Sequence, residues 1–256
     1  MNFLNIKNQN TITTKIVAFS LFLFLSNTTI NAQYFQKKIK GNGEIKTIIR
    51  NVSDYNKIGI GGDFDVTLVK GKEGTITIKA EENLLEYIET EVKKGDLSVK
   101  IKKGYQIRSK KKIEITIPFE EIDGVSLAGS GLIYTNDVIN SKEFKLSLAG
   151  SGTMDLKISA KDLDTNIAGS GNITLHGNSD KFECSIAGSG NLNGYNLKST
   201  ITTVSIAGSG TIKVDALNEI HAKIAGSGNV IYTGNPEIVK SKAAGSGSIK
   251  KKNWYN

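Results

Sequence analysis

"CSIAGSGNLNG" runs from Cys184 to Gly194, one of seven places where the chain writes AGSG between short alternations of apolar and polar residues. The copies begin at Ala128, Ala149, Ala168, Ala187, Ala207, Ala225 and Ala244, at intervals of 21, 19, 19, 20, 18 and 19 residues. A period near that length marks a solenoid, whose repeats bury their apolar faces only by stacking on one another.

Outward from the motif the residues fall into columns. One place before it stand Leu127, Leu148, Ile167, Ile186, Ile206, Ile224 and Ala243; three places before it stand Val125, Leu146, Thr165, Cys184, Val204, Ala222 and Ser241. Two places after its second glycine come Ile133, Met154, Ile173, Leu192, Ile212, Val230 and Ile249. Alternate side chains of a strand face one way, so this spacing gives every repeat the same apolar face. The two glycines suit a tight corner that needs positive φ or a close backbone approach. The serine between them suits a ladder of Ser130, Ser151, Ser170, Ser189, Ser209, Ser227 and Ser246, bonded to turn backbone or to the serines above and below. Asn172, Asn191 and Asn229, with Thr153 and Thr211 in the same column, read equally as an amide ladder or as ordinary turn residues.

The columns predict an all-β fold: a parallel β-helix, expected to be right-handed, of AGSG rungs about 19 residues long, preceded by a small antiparallel β capping region. A meander of hairpins, each GSG a three-residue turn, is the competing reading. Segments between motifs vary from HGNSDKF to YTNDVINSKEF, which suits a solenoid whose loops differ on one side. The expected organisation is a signal peptide over 1–32, a flexible lead-in over 33–50, a β cap over 51–122, the β-helix over 123–250 and a C-terminal tail over 251–256. Within the cap, DFDVTLVKG, GTITIKA, DLSVKIKKG and KKIEITIPF alternate and break at glycine turns, as antiparallel strands do. An open solenoid end exposes apolar side chains and strand edges, so this block is expected to cover the first rung, with KKKNWYN as the stop at the far end.

Lys7 and Lys15 precede the apolar run IVAFSLFLFLS, and INAQ offers cleavage after Ala32, the pattern of a secretory signal. That run is too short to span a bilayer, which takes about 20 residues. No cysteine stands near the cleavage site to carry a lipid anchor. The expected product is exported to the periplasm, the outer cell surface or the medium, with no transmembrane segment after cleavage. Losing residues 1–32 removes two lysines and no acid, so the formal net charge falls from +8 to +6. A basic surface attracts anions without choosing among them. Cys184, the single cysteine, can form no intramolecular disulfide, which leaves packing and hydrogen bonds to hold the fold.

The ordered set FDVTLVKG, AEENLLEYIETEVKKGDLSVKI, IEITIP, the GSG corners and YTGNP resembles the auto-transporter adhesin head domain family, also called the GIN domain, over about Asn51 to Lys250. The resemblance implies an exported β-helical domain and an adhesin label, and it supplies no catalytic or ligand residues. Gly59-Ile60-Gly61 is the nearest match to a literal Gly-Ile-Asn, and no appended membrane barrel is seen, so self-export is not expected.

Chemistry is sparse. His176 and His221 fall in different rungs with no acid-rich cluster beside them in sequence, and seven equivalent serines argue against one nucleophile. Cys184 shares a column with Val125, Leu146 and Val204, as a buried hydrophobe would. Calcium-binding β-rolls need an aspartate at one place in every repeat, whereas Asp155, Asp164, Asp180 and Asp215 stand at differing offsets. A phosphate-cradling loop needs a helix after its glycines, and here a strand follows. No cofactor, metal or catalytic residue is therefore expected. The best exposed basic run is RSKKK, whose Arg108, Lys110, Lys111 and Lys112 form a candidate patch for an anionic ligand, against the plainer reading of a solvated hairpin tip. Few aromatics interleave with the lysines, so nucleic acid is not an expected partner.

The expected function is that of a non-enzymatic β-solenoid serving as an adhesin-like or structural interaction module at the cell envelope or surface. Its partner would be a surface glycan or another envelope protein, with the oligomeric state open. The alternative is a carbohydrate-active enzyme of the polysaccharide lyase or hydrolase type, with its site on a solenoid flank.

Overall fold

A computed structural model describes residues 36–252. The signal peptide expected over 1–32 and the end of the tail, 253–256, lie outside the described residues. The N-terminal part holds β1 (Lys37–Lys40), β2 (Ile45–Asn51), β3 (Lys57–Gly61), β4 (Asp65–Lys70), β5 (Thr75–Glu81), β6 (Ile88–Lys93), β7 (Asp96–Ile101), β8 (Tyr105–Arg108) and β9 (Glu114–Phe119), with a 3-10 turn over Glu82–Tyr87. The repeats follow as β10 (Gly124–Gly129), β11 (Leu132–Gly150), β12 (Thr153–Gly169), β13 (Asn172–Gly188), β14 (Asn191–Gly208), β15 (Thr211–Gly226), β16 (Asn229–Thr233), β17 (Ile238–Ala244) and β18 (Ser248–Lys251).

From β10 onward every pairing is parallel, and like residues meet like: Ile167 pairs Ile186, Ala168 pairs Ala187 and Gly169 pairs Gly188. The coils form a parallel β-solenoid of about seven turns at 19-residue spacing. A hairpin meander would pair consecutive strands antiparallel, so the register excludes it.

The corners explain the glycines. Gly129, Gly150, Gly169, Gly188, Gly208, Gly226 and Gly245 all have φ between 113° and 139°, where a side chain is strained. A Cβ on Gly188 would also lie 2.5 Å from the Gly169 carbonyl oxygen of the coil before. Two places on, φ is ordinary and only the approach matters: a Cβ on Gly190 would lie 2.6 Å from Ile167 Cγ2 and 2.9 Å from Gly171 O.

Each full coil turns six or seven side chains inward; in β12 these are Met154, Leu156, Ile158, Ala160, Leu163, Thr165 and Ile167, all buried. Along the axis Phe144, Leu163, Phe182, Thr202 and Ile220 form one such column. A fully buried side chain such as Phe182 contributes about 2–3 kcal/mol by leaving water. Cys184 sits buried between Thr165 and Val204.

The antiparallel cap is built from β2 on β5, β5 on β9 and β6 on β7. Alternation did not reveal that β3 and β4 are parallel members of the stack. β3 lies between β10 and β7, and β4 lies between β11 and β9. The chain thus lays down one coil, builds the coil beneath it, and crosses back at Asp123, whose N–H donates to Asn56 O at 2.7 Å, to continue above. The flexible lead-in expected over 33–50 is corrected where it is described. Lys37–Lys40 pairs with β8, and Ile45–Asn51 forms a seven-residue strand on β5. Ile39 and Ile48 of these two strands pack against the core, which holds them to their neighbours.

Candidate functional site

The serine corners stack one per coil, and their bonding is backbone. The N–H groups of Ser151, Ser170, Ser189, Ser209 and Ser227 donate at 2.8 to 3.0 Å to the first-glycine carbonyl of the coil before. All seven corner serines are exposed, and among the described residues none of their hydroxyls is hydrogen-bonded. The expected hydroxyl ladder is therefore corrected: the serine N–H, not its side-chain oxygen, joins one corner to the next. The column after the corner is a partial ladder, with Asn191 Nδ2 donating to Asn172 Oδ1 at 3.0 Å and Ser248 Oγ to Asn229 Oδ1 at 2.7 Å. The outward alanines of the motif, flanked by Ser147, Asn166, Ser185 and Ser205, leave a shallow trough of about 640 Å³ across the coils.

The histidines do have acids beside them, which the sequence hid because one partner comes from the neighbouring coil. His176 Nε2 lies 3.2 Å from Asp155 Oδ1, and His221 bonds Glu219 two residues away on its own strand. Among the described residues no serine hydroxyl bonds either ring: His176 Nδ1 faces Asn196 and His221 faces Glu219. Nor do three His, Cys, Asp or Glu side chains converge there in a metal-holding group. Burial, with the charge of Asp164 adding to it, pushes the Cys184 thiol far up, away from the reactive thiolate.

The basic run is more organised than a hairpin tip. Glu81, at the end of β5, is fully buried, and its carboxylate accepts from Gly43 N at 2.7 Å, Ser109 Oγ at 2.5 Å and Lys110 N at 2.8 Å. Burial works to raise the Glu81 pKa, but the bonds from Ser109, Lys110, Gly43 and Lys111 outweigh it and hold the carboxyl below its ordinary value. One buried carboxylate thus fixes the backbone on which the cations stand. The side chains of Arg108, Lys110, Lys111 and Lys112 border a cleft of about 560 Å³ that Asp63 and Asp65 also line.

The four cations are not equivalent. Lys112 Nζ is 2.5 Å from Asp65 Oδ2, and that bond and charge hold its pKa above the ordinary value. Arg108, Lys110 and Lys111 are exposed and, among the described residues, have no acidic partner. The structure adds cations that sequence reading placed in a loose lead-in: β1 pairs β8 so that Lys38 and Lys40 share the outer face with Arg108. The alternation of KKIK beside YQIR carried that signal.

A family model described as "putative auto-transporter adhesin, head GIN domain" matches residues 54–236. The chain belongs to this family. Among solved structures, a "putative adhesin" from Bacteroides fragilis NCTC 9343 is 25% identical, with a TM-score of 0.78 over 84% of this chain and 100% of that one. A "putative lipid binding protein" from Parabacteroides distasonis ATCC 8503 is 30% identical, with a TM-score of 0.69 over 85% of this chain and 100% of that one. A "putative adhesin" from Parabacteroides merdae ATCC 43184 shares the fold at 22% identity, with a TM-score of 0.69 and the same coverage. No functionally curated protein matches the chain. The matched span of the GIN domain takes in β3 to β16 and Arg108–Lys112, and among the described residues no helix is long and apolar enough to cross a membrane.

Proposed function

We propose that this GIN-domain chain is an exported, non-enzymatic β-solenoid that acts at the cell envelope or surface as an adhesin-like module, gripping an anionic glycan through Arg108, Lys110 and Lys111. The observation that carries the reading is the set of three cations without an acidic partner among the described residues, on a backbone held by the buried Glu81. A fixed array of cations recognises spaced anions at lower entropic cost than a mobile loop would. Family membership and the neighbours named as adhesins support the surface role. The neighbour named as a lipid-binding protein supports an anionic headgroup as a second ligand for the same cations.

The test presents the purified protein with acidic and neutral polysaccharides and with vesicles of anionic or neutral lipid. Binding restricted to the acidic members, released by salt and lost in the double variant Lys110→Glu, Lys111→Glu, is the expected result. Unchanged binding by that variant overturns the assignment to these cations. Release of reducing or unsaturated sugar ends would establish the carbohydrate-active alternative instead.

A further inference from the structure

The sheet that leads into the corners runs the length of the stack and, among the described residues, ends on two strands with one partner each: β6, paired with β7, and β17, paired with β15. At the β17 end Val239 is paired with the buried Ile220, yet is itself 46% exposed, and all seven residues of the strand are exposed. An uncovered strand edge with apolar side chains behind it is a template for another strand.

The two edges match in charge and pattern. On β17 the register places Val239, Ser241 and Ala243 on the core side and Lys240 and Lys242 on the solvent side. On β6 it places Ile88, Thr90 and Val92 on the core side and Glu89 and Glu91 on the solvent side. Strands repeat every two residues, so either pairing direction sets the two lysines beside the two glutamates and the apolar sides together. Two copies meeting through the same end would instead set lysine against lysine or glutamate against glutamate.

We infer that copies of this chain associate head to tail, β17 of one adding beside β6 of the next, in an open linear assembly of the kind that non-closing heterologous contacts produce. The occupant is a second copy because one chain carries both complementary edges. Existing contacts leave room for it. Lys93 lies 2.8 Å from Glu91 and Glu219 lies 4.0 Å from Lys240, both solvent-facing pairs of small worth, while Arg50 takes the Ile88 carbonyl and the Thr90 hydroxyl at the start of β6 and leaves Glu89, Glu91 and Val92 free of it. The contact is confined to this sheet, since the other ends on β2 and β18, which both carry lysine (Lys46; Lys250, Lys251). It involves neither Arg108, Lys110 nor Lys111, so it stands or falls independently of the anionic ligand.

Sedimentation of the purified protein over a range of concentrations, with electron microscopy of the concentrated sample, tests this. The expected result is linear oligomers that dissociate in high salt. Lys240→Glu with Lys242→Glu, or Glu89→Lys with Glu91→Lys, should each weaken association by about tenfold or more. A mixture of the two variants should restore it, because each then offers the edge the other lacks. A monomer at every concentration, oligomers indifferent to both reversals, or association that appears only after residues 253–256 are deleted would each overturn the inference. Unchanged circular dichroism of the variants confirms that they remain folded.

Discussion

At the N-terminal end of the stack the antiparallel strands β2, β5 and β6 close the last coil, with Leu84 and Leu85 of the 3-10 turn and Ile88 after it buried, and Arg50 bonded to Leu85 O and Ile88 O. At the other end β17 is exposed throughout, and the corner itself changes: Gly247 N, rather than Ser246 N, donates to Gly226 O. Interior coils need only the repeat, because each lends its apolar face in both directions. An end needs sequence that departs from the repeat, and among the described residues only the N-terminal end has it over the coil interior, while the outer edge of β6 stays unpaired.

The largest expected effect contrasts the middle of the stack with its open end. Gly188→Ala puts a Cβ 2.5 Å from Gly169 O at φ +124°, and should cost about 3 kcal/mol or more in chemical denaturation. Gly245→Ala meets Gly226 O at 2.4 Å with φ +113°, yet should cost about 1 kcal/mol, because the last coil can open without unfolding the rest. Equal losses at the two positions would show that the end coil is as tightly held as the middle.

Next in size is the N-terminal cap. Glu81→Gln turns an amide toward backbone donors and should cost about 1–3 kcal/mol at neutral pH. The folded carboxyl titrates below its ordinary value of 4.5, so its contribution is complete above that pH and is lost as the pH falls through the lower folded value. Denaturation of the wild type and the variant should therefore converge on acidification; a constant gap between them would remove the charge from the account.

Smallest is Val239→Ala in β17, expected to cost less than about 1 kcal/mol, as suits a side chain 46% exposed. A loss as large as that of a buried core residue would mean that this end is covered in solution, by the neighbouring copy inferred above.

The sequence made the repeats legible because the inward columns and corner glycines are read from spacing alone. Ile186 beside Ile167 and Gly188 beside Gly169 needed no other information. The coil formed by β3 and β4 stayed hidden because it lacks the motif: Phe64 stands where Gly131 stands in the next coil, and pairing direction leaves no mark on an alternating strand. The basic run was visible as a run, but not the Glu81 carboxylate beneath it, 28 residues from Ser109 in sequence. His176 likewise looked solitary because Asp155 approaches from the coil before.

The crossing at Asp123 also sets a direction of assembly. The coil synthesised first, β3 with β4, ends with later chain on both sides, so it cannot be finished until β7, β9 and β10 have arrived. Every coil after that has one neighbour already in place and can zip onto it in turn. The slow, long-range step is thus concentrated in the first third of the polypeptide, and lengthening the repeat array would add elongation without a new nucleus.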